Sequence, residues 1–96
     1  MKTSKIYEIY EIDDYGKKRI AVSLTSETAV EYVKANLTYD SDSESAVDRT
    51  NNNKWVSTEK ALNCEDITKY TFYHDKHSWS GCYLDGFEVN EIEVLP

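Results

Sequence analysis

The chain has 96 residues, 40% hydrophobic and 12% aromatic, with one Pro, three Gly and a formal net charge of −7. That length makes one domain with a single modest core, and the aromatic content excludes disorder as the main state. The charge speaks against nucleic-acid binding, because affinity for phosphates comes largely from Lys and Arg.

No apolar run approaches the ~18 residues of a membrane span. Met1-Lys2-Thr3-Ser4-Lys5 is basic but is followed by Glu8 and Glu11 rather than an apolar stretch, so it does not read as a secretory signal. Cys64 and Cys82 are too few for a disulfide framework, and both are expected as free thiols in a reducing cytoplasm.

In chain order, Ile6-Tyr7-Glu8-Ile9-Tyr10-Glu11-Ile12 reads as a strand with apolar groups on both faces. Asp13-Asp14-Tyr15-Gly16-Lys17 is a turn in which Gly16 is free to take positive φ. Arg19 to Leu24 alternates, placing Ile20, Val22 and Leu24 on one face of a second strand. Lys17, Lys18 and Arg19 at this hairpin's tip are the one local break in the acidic character. Thr25 and Ser26 are helix-capping residues, and Ala29, Val30, Val33 and Leu37 follow at helical spacing, which predicts a helix from about Ser26 to about Leu37.

Thr38 to Asn53 reads as an exposed polar loop with a helical turn around Ser45 to Asp48. Trp55-Val56 returns to the core. Residues 53–64 read either as a short helix capped by Ser57 or Thr58 or as a strand through Trp55. Ile67 to His74, Cys82 to Leu84 and Phe87 to Leu95 read as strands. Asp85-Gly86 is the strongest two-residue hairpin turn signal. In the last run, Phe87 and Val89 are out of phase with Ile92 and Val94. A bulge near Asn90-Glu91 would place all four on one face and Glu88, Glu91 and Glu93 together on a solvated one. The expected architecture is a single α+β domain over residues 1–96, an antiparallel sheet of four to five strands with one main helix, in the order β-β-α-(short helix or strand)-β-β-β.

Site chemistry is sparse. His74, His77, Cys82 and Cys64 are metal-ligand types, but their spacing matches no standard zinc pattern. His74, Asp75 and the two cysteines offer a Cys–His pair only if geometry brings them together. Asp40, Asp42 and Glu44 alternate like calcium ligands but lack the Gly and the bidentate Glu that complete such a loop. With no nucleophile elbow and no phosphate-cradling loop, no enzymatic activity, cofactor or metal is expected.

The carboxylates remain. Asp40, Asp42, Glu44 and Asp48 form one candidate partner-binding group, and Asp85, Glu88, Glu91 and Glu93 form another. From His77 to Pro96 there is no Lys or Arg. Carboxylates spaced along a strand or loop can imitate a row of phosphates and occupy an Arg-rich groove, and opposite potentials speed association. A solvated acidic face that merely keeps the domain soluble is the plainer reading.

The stretch from Ile6-Tyr7-Glu8-Ile9-Tyr10-Glu11 through Gly16 to Ser23-Leu24-Thr25-Ser26-Glu27-Thr28-Ala29-Val30-Glu31-Tyr32-Val33 resembles small acidic proteins of phages and mobile elements, including anti-CRISPR and anti-restriction inhibitors. The likeness is one of style and composition and assigns no residue a role. It implies a non-enzymatic protein in a bacterial host cytoplasm that binds a basic protein or nucleoprotein nuclease complex, without touching nucleic acid or membrane. An immunity protein against a basic toxin is the alternative, as is a small phage structural or accessory domain with no inhibitory role. Edge strands in so small a sheet also leave a homodimer open.

Overall fold

The computed structural model describes residues 4–13, 15–75 and 85–94. Strands β1 (Ser4–Asp13) and β2 (Gly16–Ser23) form the opening hairpin, and helix α1 (Ser26–Asn36) follows. Gly16 takes φ +124 in the hairpin turn, where the Tyr15 amide donates to Asp13 Oδ1 at 2.8 Å. Thr25 caps α1 by accepting from the Thr28 amide. Strands β3 (Ala46–Asp48) and β4 (Lys54–Val56) are short, and helix α2 (Thr58–Leu62) is capped by Ser57. A 3-10 turn (Ile67–Lys69) leads into β5 (Tyr70–Tyr73), and β6 (Gly86–Val94) ends the order.

The six strands make one antiparallel sheet in the order β2-β1-β6-β5-β3-β4. The architecture is α+β as expected, but with six strands rather than four or five. The additional strand comes from the segment expected to be loop: Ala46–Asp48 pairs with β4 on one side and β5 on the other. Ala46 is fully buried there, its small side chain fitting between the sheet and the helices. Residues 53–64 hold both expected alternatives, strand β4 and then α2.

Side chains alternate across each strand, so the register sorts the sheet into two faces. Ile9, Val89, Phe87, Phe72 and Ala46 lie on one, against Ala29, Val33 and Leu37 of the α1 region and Ala61, Leu62 and Ile67. Tyr32 of α1 meets Phe87 edge-on, ring centroids 6.4 Å apart.

Three expectations about facing fail. First, the β1–β2 register shifts between Ile9 and Tyr10, so Ile9 faces Ala21 while Tyr10 faces Arg19. Ala21 and Ser23 therefore point to the helices, and Val22 and Leu24 are exposed. Second, β6 runs beside β1 from Ser4↔Val94 to Ile12↔Gly86 with no bulge at Asn90-Glu91. Phe87 and Val89 face the core, while Ile92 and Val94 face away and are exposed. Third, Gly86 is no hairpin turn residue: it pairs with Tyr73 inside the sheet. A Cβ at Gly86 would lie 1.8 Å from the Phe72 carbonyl oxygen, so glycine is required there for close backbone approach. The expected strand Cys82 to Leu84 lies outside the described residues.

Candidate functional site

No described element covers the sheet face opposite α1. By register it carries Ile6, Glu8, Tyr10 and Ile12 of β1, Lys17, Arg19 and Val22 of β2, and Glu88, Asn90, Ile92 and Val94 of β6. Thr71, Tyr73, Val47 and Trp55 extend it across β5, β3 and β4.

Glu88 is the hub of this face and is only 4% exposed. Lys17 reaches it from two strands away on one side, with Nζ 2.9 Å from Oε2 and 3.0 Å from Oε1. Arg49, at the end of β3 and two strands away on the other side, places Nη1 3.0 Å from Oε1. Thr71 Oγ1 and Asn90 Nδ2 each donate at 3.4 Å. Burial works against the charged carboxylate, but the donors and charges of Lys17 and Arg49 outweigh it and hold its pKa below the ordinary range. Arg49 also donates to the Thr68 carbonyl, which leaves its Nε buried without a partner among the described residues. Beside the hub is a hollow of about 510 Å³ walled by Ile12, Val47, Trp55 and Tyr73. The two aromatic rings lie 5.7 Å apart.

A second network sits alongside. Arg19 Nη1 lies 2.6 Å from Glu8 Oε2, and the Tyr10 hydroxyl donates to Glu8 Oε1 at 2.8 Å. These two bonds, that of Arg19 foremost, hold the Glu8 pKa down. Every carboxylate on this face is thus paired with a cation of the chain.

The two expected acidic groups fare differently. On β6, Glu88 faces the hollow while Glu91 and Glu93 face the helix side, so they do not share one solvated face. Glu91 pairs with Lys5 at 2.9 Å, and Glu93 is exposed. Asp85 is half-buried, its Oδ1 without a partner among the described residues. Asp40, Asp42 and Glu44 are exposed, and among the described residues none makes an ion pair. The Asp40 amide and carbonyl close a turn with Ser43, at 2.9 and 3.0 Å. Asp48 is half-buried, and its Oδ1 accepts from both the hydroxyl and the amide of Thr50.

Comparison finds no family model, no curated relative and no solved structure that matches this chain. The reading therefore rests on the geometry.

Among the described residues no three His, Cys, Asp or Glu side chains gather as metal ligands. His77 and Cys82 lie outside the described residues. His74 Nδ1 accepts from the Thr38 amide at 3.0 Å, and its ring packs edge-on against Phe87. Cys64 is engaged elsewhere: the Tyr70 hydroxyl donates to its Sγ at 3.5 Å. The Asp66 amide, that hydroxyl and further donors hold the thiol pKa below its ordinary value. The arrangement of Lys17, Arg49, Thr71 and Glu88 escaped sequence reading, because its members lie on three strands and just past a fourth, far apart in the chain. Strict alternation through Gly86–Val94 is the signal that could have placed Glu88 opposite Phe87.

Proposed function

We propose that the chain is a non-enzymatic binding protein that occupies the basic surface of a nucleic-acid-handling complex, an inhibitor of the anti-CRISPR or anti-restriction type. The observation that carries this reading is the exposed run Asp40, Asp42 and Glu44, three carboxylates with no cation in contact among the described residues. Unpaired surface carboxylates keep their full field, so they steer a positively charged partner and repel nucleic acid itself. Glu88 contributes little, because a partner cation would have to displace both Lys17 and Arg49.

The test is binding to purified defence nucleases across a salt series. The expected result is a complex that weakens as salt rises and that the triple variant Asp40→Asn, Asp42→Asn, Glu44→Gln forms at least tenfold more weakly (about 1.4 kcal/mol). Absence of any complex at low salt, or equal binding by the variant, removes this reading.

A further inference from the structure

The hollow beside Glu88 takes its shape from the register. Glu88, Thr71, Val47 and Trp55 are successive cross-strand partners, one row across β6, β5, β3 and β4. Directly paired residues share a face, so all four stand on the side opposite α1. Thr71 and Val47, the short side chains in the middle of the row, form a low floor. Longer side chains surround it: Lys17 and Glu88 at one end, Trp55 at the other, Tyr73 and Arg49 along the sides. In the neighbouring row Gly86 separates Ile12 from Tyr73 and adds no side chain between them. The resulting concavity of about 510 Å³ is within the range of small-molecule sites.

The two ends differ chemically. Lys17 and Arg49 share the single carboxylate of Glu88, which leaves one positive charge in excess. The Lys17 ammonium has three N–H donors and bonds Glu88 at 2.9 and 3.0 Å. One N–H therefore remains, on a side chain that is half in solvent. At the other end the Trp55 indole is half-exposed, and the Tyr73 ring 5.7 Å away backs it as an aromatic wall. Glu88 and Trp55 are three strand spacings apart, about 14 Å between backbones. Between their side chains this leaves room for a ring with a short acidic arm.

We propose that the hollow binds a small planar monoanion, an aromatic carboxylate, its ring against Trp55 over Val47 and its carboxylate at Lys17. Charge selects this ligand. A cation would have to displace Lys17 and Arg49 from Glu88. A neutral ring gives the remaining Lys17 N–H no acceptor. A phosphomonoester carries about −1.5 to −2, more than one surplus charge balances beside Glu88. A monoanion leaves the lining neutral. The net charge of −7 on the chain does not override this, because charges beyond about 8 Å are largely screened at physiological ionic strength. Glu8, the other carboxylate on this face among the described residues, is itself paired with Arg19. A small molecule meets only the lining, whereas an acidic macromolecule also faces the negative charge around it. This inference does not rest on the inhibitor reading.

NMR titration of isotope-labelled chain with indoleacetate and with naphthoate, at physiological ionic strength, tests it. The expected result is saturable shifts centred on Trp55, Val47 and Thr71, with a dissociation constant of about 1 mM or tighter for ligands of this size. Neutral indoleacetamide, cationic tryptamine and ring-free acetate are each expected to bind at least tenfold more weakly, and naphthyl phosphate no more tightly than naphthoate. Trp55→Ala and, separately, Lys17→Met are each expected to weaken carboxylate binding at least fivefold. Leu24→Ser, outside the hollow, is expected to leave it unchanged. The dispersion of the amide spectrum checks that each variant is folded. Absence of saturation by either carboxylate up to about 10 mM, ten times that constant, overturns the proposal. So does equal binding of the amide, the amine or acetate, tighter binding of naphthyl phosphate, or binding that neither hollow variant weakens.

Discussion

Lys17 and Glu88 are 71 residues apart in the chain, yet the Lys17 ammonium spans both oxygens of the Glu88 carboxylate, at 2.9 and 3.0 Å. With Arg49 at 3.0 Å from the other flank, the pair ties β2 and β3 to the middle strand across the intervening β1 and β5. The carboxylate is buried, whereas half of the Lys17 side chain is in solvent. The two partners should therefore respond unequally to replacement.

Glu88→Gln leaves two cations facing each other over a neutral amide. A loss of about 2 kcal/mol is expected, below the 3–5 typical of a fully buried pair because Lys17 and Arg49 reach solvent. The melting temperature should fall by about 10 °C. Lys17→Met leaves Arg49 in place and should cost less than about 1 kcal/mol. Urea titrations of both variants check the order; equal costs would mean that the carboxylate is not the hub.

Acid should destabilise the protein through the same group. The folded pKa of Glu88 is depressed: burial raises it, and Lys17 and Arg49 more than reverse that. That of Asp48 is depressed by the Thr50 hydroxyl and amide. A depressed carboxylate contributes stability that is present above its unfolded pKa, about 4.3 for Glu and 3.9 for Asp. That stability is lost as pH falls through the folded value. Unfolding free energy should thus be level near neutrality with respect to these groups and decline below about pH 4.5. In Glu88→Gln the decline should be shallower; an unchanged slope contradicts the assignment.

Tyr70 should be a late tyrosine to ionise. Its hydrogen bond to Cys64, reinforced by burial, pushes its pKa up to about 12. Ultraviolet difference titration of the wild type against Tyr70→Phe isolates this group. Cys64→Ala removes the foremost cause and should return Tyr70 toward the ordinary value near 10. Because the folded pKa is raised, the associated stability is intact below about pH 10 and is lost as pH rises towards 12. A Tyr70 titration unmoved by Cys64→Ala refutes the coupling.

Gly86→Ala and Gly16→Ala should both destabilise, for different reasons. At Gly86 the added carbon collides with the Phe72 carbonyl oxygen and the Tyr73 Cα, both backbone atoms that cannot yield cheaply. A cost of about 3 kcal/mol or more is expected. At Gly16 there is open space, but φ +124 is a conformation that side-chain-bearing residues rarely adopt, at about 1–3 kcal/mol. Guanidinium midpoints compare them, and a Gly86→Ala protein as stable as wild type would rule out the close approach.

The opening hairpin and α1 were legible because their signals are local: Gly16 in its turn, Thr25 as a cap, and Ala29 and Val33 at helical spacing. The β3 strand was not, since Ala46-Val47-Asp48 amid Ser, Asp and Asn carries no strand signature and is held by its two neighbours. Val22 and Leu24 misled because β2 is irregular at the register shift between Ile9 and Tyr10: Ser23 is buried, Ile20 and Ala21 both pack partly buried against the core, and Val22 is exposed. Gly86 misled because a turn and a close backbone approach both select glycine. The acidic character was plain in the composition, but its distribution was not. The partners of Glu88 and Glu91 are Lys17, Arg49 and Lys5, and only the completed sheet brings them together.

The strand order has a bearing on biosynthesis. The β6 strand is the last of the six to leave the ribosome, yet it lies between β1 and β5, and it pairs with the first strand from Ser4↔Val94 onward. Until it emerges, β1 and β5 each carry a bare hydrogen-bonding edge and Phe72 lacks its cross-strand neighbour Phe87. The sheet therefore closes only once β6 has emerged, and a nascent chain stalled before Gly86 presents two sticky borders to chaperones and proteases.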